Sequence, residues 1–262
     1  MRNLLKFISL SALSIFVIFI IFAVLTIVGK VSIETLEEAI FSKEIQFAIK
    51  LSLMTASIAT LIGAIVGIPS AYALARYNFK GKELIDSLVD LPVILPPLIS
   101  GFALLVFFGN TLIGGIAESI INIIFSPIGI IVAQFFVATP FIIKTSKAVF
   151  EGIDEKYEYI AQSLGISRLK SFFKVILPMA KNGILAGMIL AWARSIGEFG
   201  ATLMLAGATK MKTETLPIAV FLNISVGKLE LALSVAFIFL VVAVLIIFSI
   251  KTIVKIGDNY EP

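Results

Sequence analysis

Two charged side chains interrupt an apolar stretch of this sequence. Arg194 and Glu198 lie four residues apart in the run GILAGMILAWARSIGEFGATLMLAG. In a helix this spacing places both side chains on one face, where they can form an ion pair. A charge at the centre of a lipid-exposed helix costs about 2.5–3.5 kcal/mol, so we expect the pair to face other helices, a partner subunit or water. Two interpretations stay open: a structural pair that fixes helix packing, and a direct role in a substrate pathway.

Glycines flank the acidic member of this pair. Gly197 and Gly200 bracket Glu198, and Gly187 lies further upstream in the same run. Residues without a side chain allow a neighbouring helix backbone to approach closely. We therefore expect Arg194, Gly197, Glu198 and Gly200 to lie at a pathway or at an interface between two copies of the chain.

The sequence lacks the residues that most membrane-embedded redox and metal chemistry requires. It contains no cysteine and no histidine. Disulfides, thiol nucleophiles, histidine proton relays and the usual zinc or haem ligands are thereby excluded, and we predict no metal site. It also lacks the G-x-x-x-x-G-K-[ST] loop that binds nucleotide phosphates. We predict that the chain is not an enzyme and that it carries no cofactor of its own.

A second group of candidate residues lies in the segment DEKYEYIAQSLGISRLKSFFKVILP, residues 154–178. An apolar stripe at helical spacing follows Asp154, and its members are Tyr157, Ile160, Ala161 and Leu164. Gly165 is placed to end this helix in a left-handed conformation, and Ser167 can cap a second helix that runs toward Pro178. The pattern predicts two short surface helices with an exposed stripe that a partner protein could cover. An interfacial helix packed on its own bundle is the alternative.

Long apolar runs must position both groups. The chain is 59% hydrophobic and only 15% charged, with a mean hydropathy of +1.09, so lipid must be the solvent for most of it. The fold class predicted is all-α, a polytopic membrane bundle of about six transmembrane helices with a cytoplasmic loop at about 150–178. The expected spans are 8–28, 47–75, 88–108, 127–149, 179–206 and 229–252. We expect kinks at Pro96, Pro97 and Pro140, and a short interfacial helix within 110–126.

The runs imply one transmembrane domain over residues 1–262, with no appended regulatory domain. With the N-terminus inside, the predicted cytoplasmic segments hold 14 Lys and Arg residues and the outer segments hold six. Such a bias predicts that both termini face the cytoplasm. The net charge of +4 then belongs to cytoplasmic loops, and we predict no nucleic-acid partner.

The segment 154–178 resembles the EAA loop of ATP-binding-cassette (ABC) importer permeases. The pattern of that family is E-A-A, three residues, Gly, nine residues and I-x-L-P, and the positions in register are Ala161, Gly165, Val175, Leu177 and Pro178. The chain departs from it at Tyr159, where the family has Glu, and at Ile160. Whether Glu158, one residue earlier, substitutes for that Glu is left open. The resemblance implies an ATPase-coupling loop formed by Tyr157, Glu158, Tyr159, Ile160, Ala161, Leu164, Gly165 and Pro178.

A second resemblance concerns the substrate. ARSIGEFGATLMLAG and DLPVILPPLISGFALLVFFG (90–109) are similar to the oxyanion branch of these permeases, and TETLPIAVFLN (213–223) is most similar to its tungstate and molybdate members. The resemblance covers about residues 45–250. It implies an importer permease of the plasma membrane in which two copies of the chain form the pathway. Its partners would be two ATPase subunits that bind ATP and Mg, and an extracytoplasmic oxyanion-binding protein. Sulfate is the alternative substrate. A self-sufficient secondary anion transporter is the alternative class, although no internal repeat is visible.

Overall fold

The structure is a computed structural model that describes residues 2–258, and its regular elements in that range are all helices, with no strand. Its helices are α1 (Arg2–Val28), α2 (Ile33–Phe41), α3 (Lys43–Arg76), α4 (Lys82–Ile94), α5 (Pro97–Asn110), α6 (Leu112–Ile121), α7 (Pro127–Gly152), α8 (Lys156–Ser163), α9 (Arg168–Ser171), α10 (Leu177–Ile196), α11 (Gly200–Ala206), α12 (Leu216–Ser225) and α13 (Leu229–Asp258). A π-helical turn, Phe172–Ile176, joins α9 to α10. Met1 and residues 259–262 of the predicted domain lie outside the described residues, as do the side chains of Arg2, Lys251 and Lys255.

The membrane bundle predicted from hydropathy is confirmed. Four helical segments are long and apolar enough to cross a bilayer, and they are Leu4–Val28, Lys43–Arg76, Pro127–Gly152 and Arg168–Ile196. The bent pair α4–α5 is also long and apolar enough when its two helices are taken together, as a broken span or a re-entrant loop. The predicted sixth span, 229–252, falls on α13. The apolar part of α13 whose side chains the structure describes, Leu229–Leu245, is shorter than the four segments above.

The interruption predicted at Pro96 and Pro97 in the third span, 88–108, is present, and it is a complete helix break. Helix α4 ends at Ile94 and α5 begins at Pro97. The direction of the helix axis changes by 112° between them. Proline disfavours helical geometry in the residue before it, and Leu95 is accordingly extended at φ −66° and ψ 136°. Pro140, in contrast, lies inside the continuous helix α7. The predicted short helix within 110–126 is present as α6.

The fifth span also differs from the prediction of one helix over 179–206. Its helical run begins earlier, at Arg168, and stops at Ile196, and α11 resumes at Gly200. Gly197 and Gly200 flank the break, and glycine weakens helices because it loses much conformational freedom on folding. The break places Glu198 between two helices instead of inside one.

Helices α3, α7 and α10 form the centre of the bundle. A Cβ atom added at Gly63 of α3 would come within 2.9 Å of Thr139 Oγ1 on α7, and one added at Gly187 of α10 would come within 3.0 Å of Thr145 Cβ. Small residues at these crossings let the backbones approach closely. Helix α4, which has no buried side chain, is tied to α7 by two ion pairs of 2.6 Å each, Lys144–Asp90 and Lys147–Asp86.

Segments predicted for the same side of the membrane meet each other. Arg76 Nη2 donates to the carbonyl of Ile153 at 2.7 Å, which joins two predicted cytoplasmic segments. Lys210 Nζ lies 2.7 Å from Glu44 Oε1, which joins two predicted outer segments. The structure is thus that of a multi-pass membrane protein.

Candidate functional site

The bend in the predicted coupling loop is a complete Schellman motif. Gly165 has φ +81°, the left-handed conformation predicted for it. Its N–H donates to Gln162 O at 2.9 Å, and the N–H of Ile166 donates to Ala161 O at 3.1 Å. At the other end of α8, Asp154 Oδ1 accepts from the Lys156 N–H at 2.9 Å, and this backbone bond holds the pKa of Asp154 below its usual value.

The apolar stripe of α8 is exposed at three of its four predicted members. Tyr157, Ile160 and Leu164 are 48%, 58% and 76% exposed, whereas Ala161 is 5% exposed. Tyr159, at the position where the related loops carry Glu, is 61% exposed. The prediction of an exposed stripe is therefore wrong for Ala161, which lies on the buried side of α8.

Glu158 points away from that exposed face. It is 6% exposed, its Oε2 accepts from the Tyr72 hydroxyl at 2.7 Å, and its Oε1 accepts from Arg76 Nε at 3.1 Å. Glu158 and Tyr159 thus lie in opposite environments, Glu158 buried against α3 and Tyr159 exposed. Tyr72 and Arg76 belong to α3, and nothing in the sequence pattern connected them to the loop.

The second half of the loop is not a separate surface helix. Helix α9, the π-helical turn and α10 form one helical run, Arg168–Ile196, so Pro178 lies near the start of α10 inside that run. Proline has no N–H to complete the helical ladder, and a wider π turn is a common way to accommodate such a defect. The N–H of Leu177 accordingly donates five residues back, to Phe172 O. The helical run of the predicted fifth span is therefore continuous with the loop.

An aromatic cluster packs beneath the loop. The Tyr72 ring lies 4.8 Å from the ring of Phe172 and 5.6 Å from that of Phe150, measured between centroids. The Arg168 guanidinium lies 4.9 Å from the centroid of Tyr77, a cation–π contact. These contacts join the loop to the ends of α3 and α7.

The ion pair predicted from the spacing of Arg194 and Glu198 is present. Arg194 Nη1 lies 2.6 Å from Glu198 Oε2, and the side chains are 29% and 1% exposed. Glu198 Oε1 also accepts from the Ala201 N–H at 2.7 Å, so the same carboxylate caps α11. This second role follows from the break in the helix, which the sequence analysis did not predict.

The glycines near the pair make most of their close approaches within this chain. A Cβ atom at Gly200 would lie 2.9 Å from Leu98 N on α5, and Gly187 faces Thr145 on α7. These two positions therefore do not supply an open surface for a second subunit. Gly197, in contrast, is exposed.

Buried polar side chains surround the break, and no motif in the sequence marks them. Gln134 Nε2 on α7 donates to Ser195 O at 3.0 Å. The hydroxyls of Ser195 and Thr202 and the Gln134 Oε1 atom are buried without a hydrogen-bond partner. These residues come from separate helices, so no local spacing in the sequence could have revealed them.

A further buried carboxylate lies in the segment between α11 and α12, which is predicted to face outward. Glu214 is fully buried, and its Oε2 accepts from the Met211 N–H at 3.0 Å. Burial raises the pKa of Glu214 to about 7, and the nearby Glu44 carboxyl adds to this effect. Glu44 is itself paired with Lys210 at 2.7 Å.

Comparison with known proteins identifies the family. Residues 59–256 match the family of binding-protein-dependent transport system inner membrane components. A probable molybdenum ABC transporter permease protein of Haloferax volcanii is 41% identical over 74% of this chain and 70% of its own length. A molybdate/tungstate transport system permease protein of Pyrococcus furiosus is 38% identical over 66% of each chain. A sulfate transport system permease protein of Salmonella typhimurium is 34% identical over 82% of this chain and 79% of its own.

The fold is also that of solved transporter structures. A bacterial ABC transporter involved in the import of the polysaccharide alginate superposes with a TM-score of 0.76 over 97% of this chain and 96% of that chain, at 16% identity. The chain belongs to the family of binding-protein-dependent transport system inner membrane components, in the oxyanion branch of ABC importer permeases.

Proposed function

We propose that this chain is the permease subunit of an ATP-driven importer for tungstate or molybdate, and that α8 couples it to a cytoplasmic ATPase. The exposed apolar face of Tyr157, Ile160 and Leu164 carries this proposal. Such a face on a short helix fits the helix-in-groove mode of protein recognition. ATP and Mg would be bound by the partner ATPase, and the chain itself would catalyse no reaction.

The transport route would lie between two copies of the chain. Alternating access in transporters commonly occurs at the interface of two repeats or bundles, and this chain supplies one bundle. Arg194, Gly197 and Glu198 lie at the break between α10 and α11, where Gly197 is exposed and Arg194 is 29% exposed. We place them at this route or at the interface beside it. An extracytoplasmic binding protein would deliver the anion, with both termini in the cytoplasm.

Sulfate is the second candidate substrate. The relatives from Haloferax volcanii and Pyrococcus furiosus carry molybdenum or molybdate and tungstate in their names, whereas the relative from Salmonella typhimurium is a sulfate permease. All three anions are tetrahedral and doubly charged, so selection would fall largely to the binding protein.

Uptake by the reconstituted complex tests the proposal. The chain is placed in liposomes with its ATPase and binding protein, and tungstate, molybdate and sulfate uptake is measured by elemental analysis. We expect uptake of tungstate and molybdate only when ATP is hydrolysed. Uptake without ATP would indicate a secondary transporter, and uptake of sulfate alone would indicate the second candidate.

A single substitution tests whether the exposed apolar face of α8 binds the ATPase. Leu164→Ser removes the exposed apolar side chain that ends the stripe of α8 and should weaken ATPase binding about tenfold or more, since burying a leucine contributes about 1.5–3 kcal/mol. Leu112→Ser on α6, which is 82% exposed in a predicted outer segment, is the matched control and should leave ATPase binding unchanged. Equal binding by all three proteins would contradict the assignment of α8.

A further inference from the structure

The coupling helix α8 has two faces with different contacts. Tyr157, Ile160 and Leu164 are exposed, while Glu158 and Ala161 are buried beneath them. Both carboxylate oxygens of Glu158 are bonded to α3, Oε2 to the Tyr72 hydroxyl at 2.7 Å and Oε1 to Arg76 Nε at 3.1 Å. The inner face of α8 is thus fastened to one particular helix.

Arg76 of α3 bonds both to Glu158 of α8 and to the backbone at the start of the loop. Its side chain is 5% exposed, and its Nη2 donates to Ile153 O at 2.7 Å, at the start of the loop. The carboxylate of Glu155 lies 3.9 Å from Arg76 Nη1 and is 54% exposed. Glu158 is therefore the buried counter-charge of Arg76. Glu155 is a solvent-exposed neighbour whose ion pair with Arg76 contributes little to the attachment of α8.

Helix α3 reaches from this attachment to the other side of the membrane. It is one continuous helix of 34 residues, which corresponds to a length of about 50 Å. Near its outer end, Glu44 pairs with Lys210 at 2.7 Å, and Ser52 Oγ accepts from the Leu216 N–H at 2.8 Å. The same helix therefore holds α8 at one end and the segment between α11 and α12 at the other.

We propose that Glu158 is a positioning residue that fastens α8 to α3, so that a displacement of α8 is passed to α3 and to the outer segment 207–216. This inference rests on the proposed function, since it assumes that an ATPase moves α8. The exposed residues of α8 make the contact with the ATPase, and Glu158 converts that contact into movement of the membrane helices.

Three variants test whether the bonds of Glu158 to α3, and not a nearby charge, position α8. Glu158→Gln removes the buried charge that pairs with Arg76, and Glu155→Gln removes an exposed charge three residues away. Tyr72→Phe is a milder change that deletes one hydrogen bond and retains the ion pair. It keeps the test informative if Glu158→Gln does not assemble with the ATPase.

The position of α8 can be measured directly because the chain contains no cysteine. Cysteines replacing Ser70 on α3 and Ser163 on α8 carry spin labels, since both hydroxyls are exposed and bond only within their own helices, to Val66 O and Tyr159 O. Double electron–electron resonance on the full complex then reports the distance between α3 and α8. Anion uptake per ATP hydrolysed is measured on the same samples.

We expect Glu158→Gln to broaden the distance distribution and to lower uptake per ATP about tenfold, as the loss of hydrogen bonds to a charged group allows. Glu155→Gln should match the parent protein in both measurements, and Tyr72→Phe should lie between them. A narrow distribution in Glu158→Gln, or unchanged uptake per ATP despite a broad one, overturns the inference. If the parent complex moves no oxyanion, the proposed function fails, while the distance distribution still decides whether Glu158 positions α8.

Discussion

Single carboxylates hold several elements of this protein at once. Glu198 pairs with Arg194 through one oxygen and caps α11 through the other, and it is 1% exposed. A buried charge that loses its partner is costly, whereas a buried pair replaced on both sides often is not. At the scale of residues, the stability of the broken fifth span therefore depends on the pair as a unit.

A double-mutant cycle measures this dependence. Arg194→Met leaves the Glu198 charge unpaired, and Glu198→Gln keeps a capping acceptor but removes the charge. We expect each single variant to lower thermal stability, the double variant to lose less than the sum, and a coupling energy of about 1–3 kcal/mol. Thermal unfolding of the purified protein gives the four values. Strictly additive losses would show that the two side chains act independently.

The raised pKa of Glu214, in the segment between α11 and α12, predicts that the stability of the protein depends on pH. That pKa is raised to about 7, from an ordinary value of 4.5, by burial and by Glu44, while the Met211 N–H and Lys210 act in the opposite direction. The folded state therefore binds the proton more tightly than the unfolded chain. The stability that this group contributes is complete below pH 4.5 and is lost as the pH rises through 7.

We expect Glu214→Gln to remove this dependence and to be more stable than the parent protein at pH 8, by an amount of the order of 1 kcal/mol. Melting temperatures between pH 5 and pH 8 check the prediction. Glu230→Gln, an exposed carboxyl in a neighbouring outer segment, serves as the control and should follow the parent protein. A Glu214→Gln curve parallel to that of the parent would contradict the assignment.

At the scale of elements, the bend after α8 depends on one glycine. Gly165 has φ +81°, and an added Cβ would meet no atom within 4 Å. A larger side chain would therefore be disfavoured by backbone strain alone, which costs about 1–2 kcal/mol for an L-residue. The exposed face of α8 can keep its direction only while this bend persists.

Gly165→Val should reduce ATP-dependent uptake while membrane insertion stays normal. Gly165→Asn should retain more activity, because asparagine tolerates the left-handed conformation better. Gly152→Val is the control for bulk, since an added Cβ at that position also meets nothing within 4 Å and the backbone is not left-handed. Full uptake by Gly165→Val would show that the bend has no role in coupling.

At the scale of the molecule, one face of α10 and of the residue that follows it is exposed within the part of the chain that the structure describes. Leu185, Ala186, Leu190 and Gly197 are exposed, while Gly187 and Ala191 pack inside the bundle. An isologous interface would bring the same face of a second copy against it. Within the range 190–204, the structure therefore selects Leu190 and Gly197 as the positions to test.

Single cysteines can be cross-linked without background in this cysteine-free chain. Leu190→Cys and Gly197→Cys should form disulfide-linked dimers in membranes, and the yield should change when ATP is added to the complete importer. Ala191→Cys, at a position that is 0% exposed, should not cross-link. Dimers formed from sites on α1 or α13, together with none from α10, would place the interface elsewhere.

The sequence by itself determined the elements whose signal is local. Apolar runs of membrane-spanning length, the i, i+4 spacing of Arg194 and Glu198, and a glycine at the end of an amphipathic stripe each depend on residues close together in the chain. The bundle, the ion pair and the left-handed bend at Gly165 are accordingly confirmed. The oxyanion branch was also identified correctly, because its motifs are contiguous.

Only the tertiary structure decided how far the chain turns at a helix break and which side chains meet across the bundle. Hydropathy does not distinguish a straight span from the 112° turn before Pro97, since both are equally apolar. The attachment of Glu158 to Tyr72 and Arg76 joins residues more than 80 positions apart. Such contacts are set by the packing of α3 beneath the loop, and for this reason the sequence left the role of Glu158 open, whereas the fold buries it against α3.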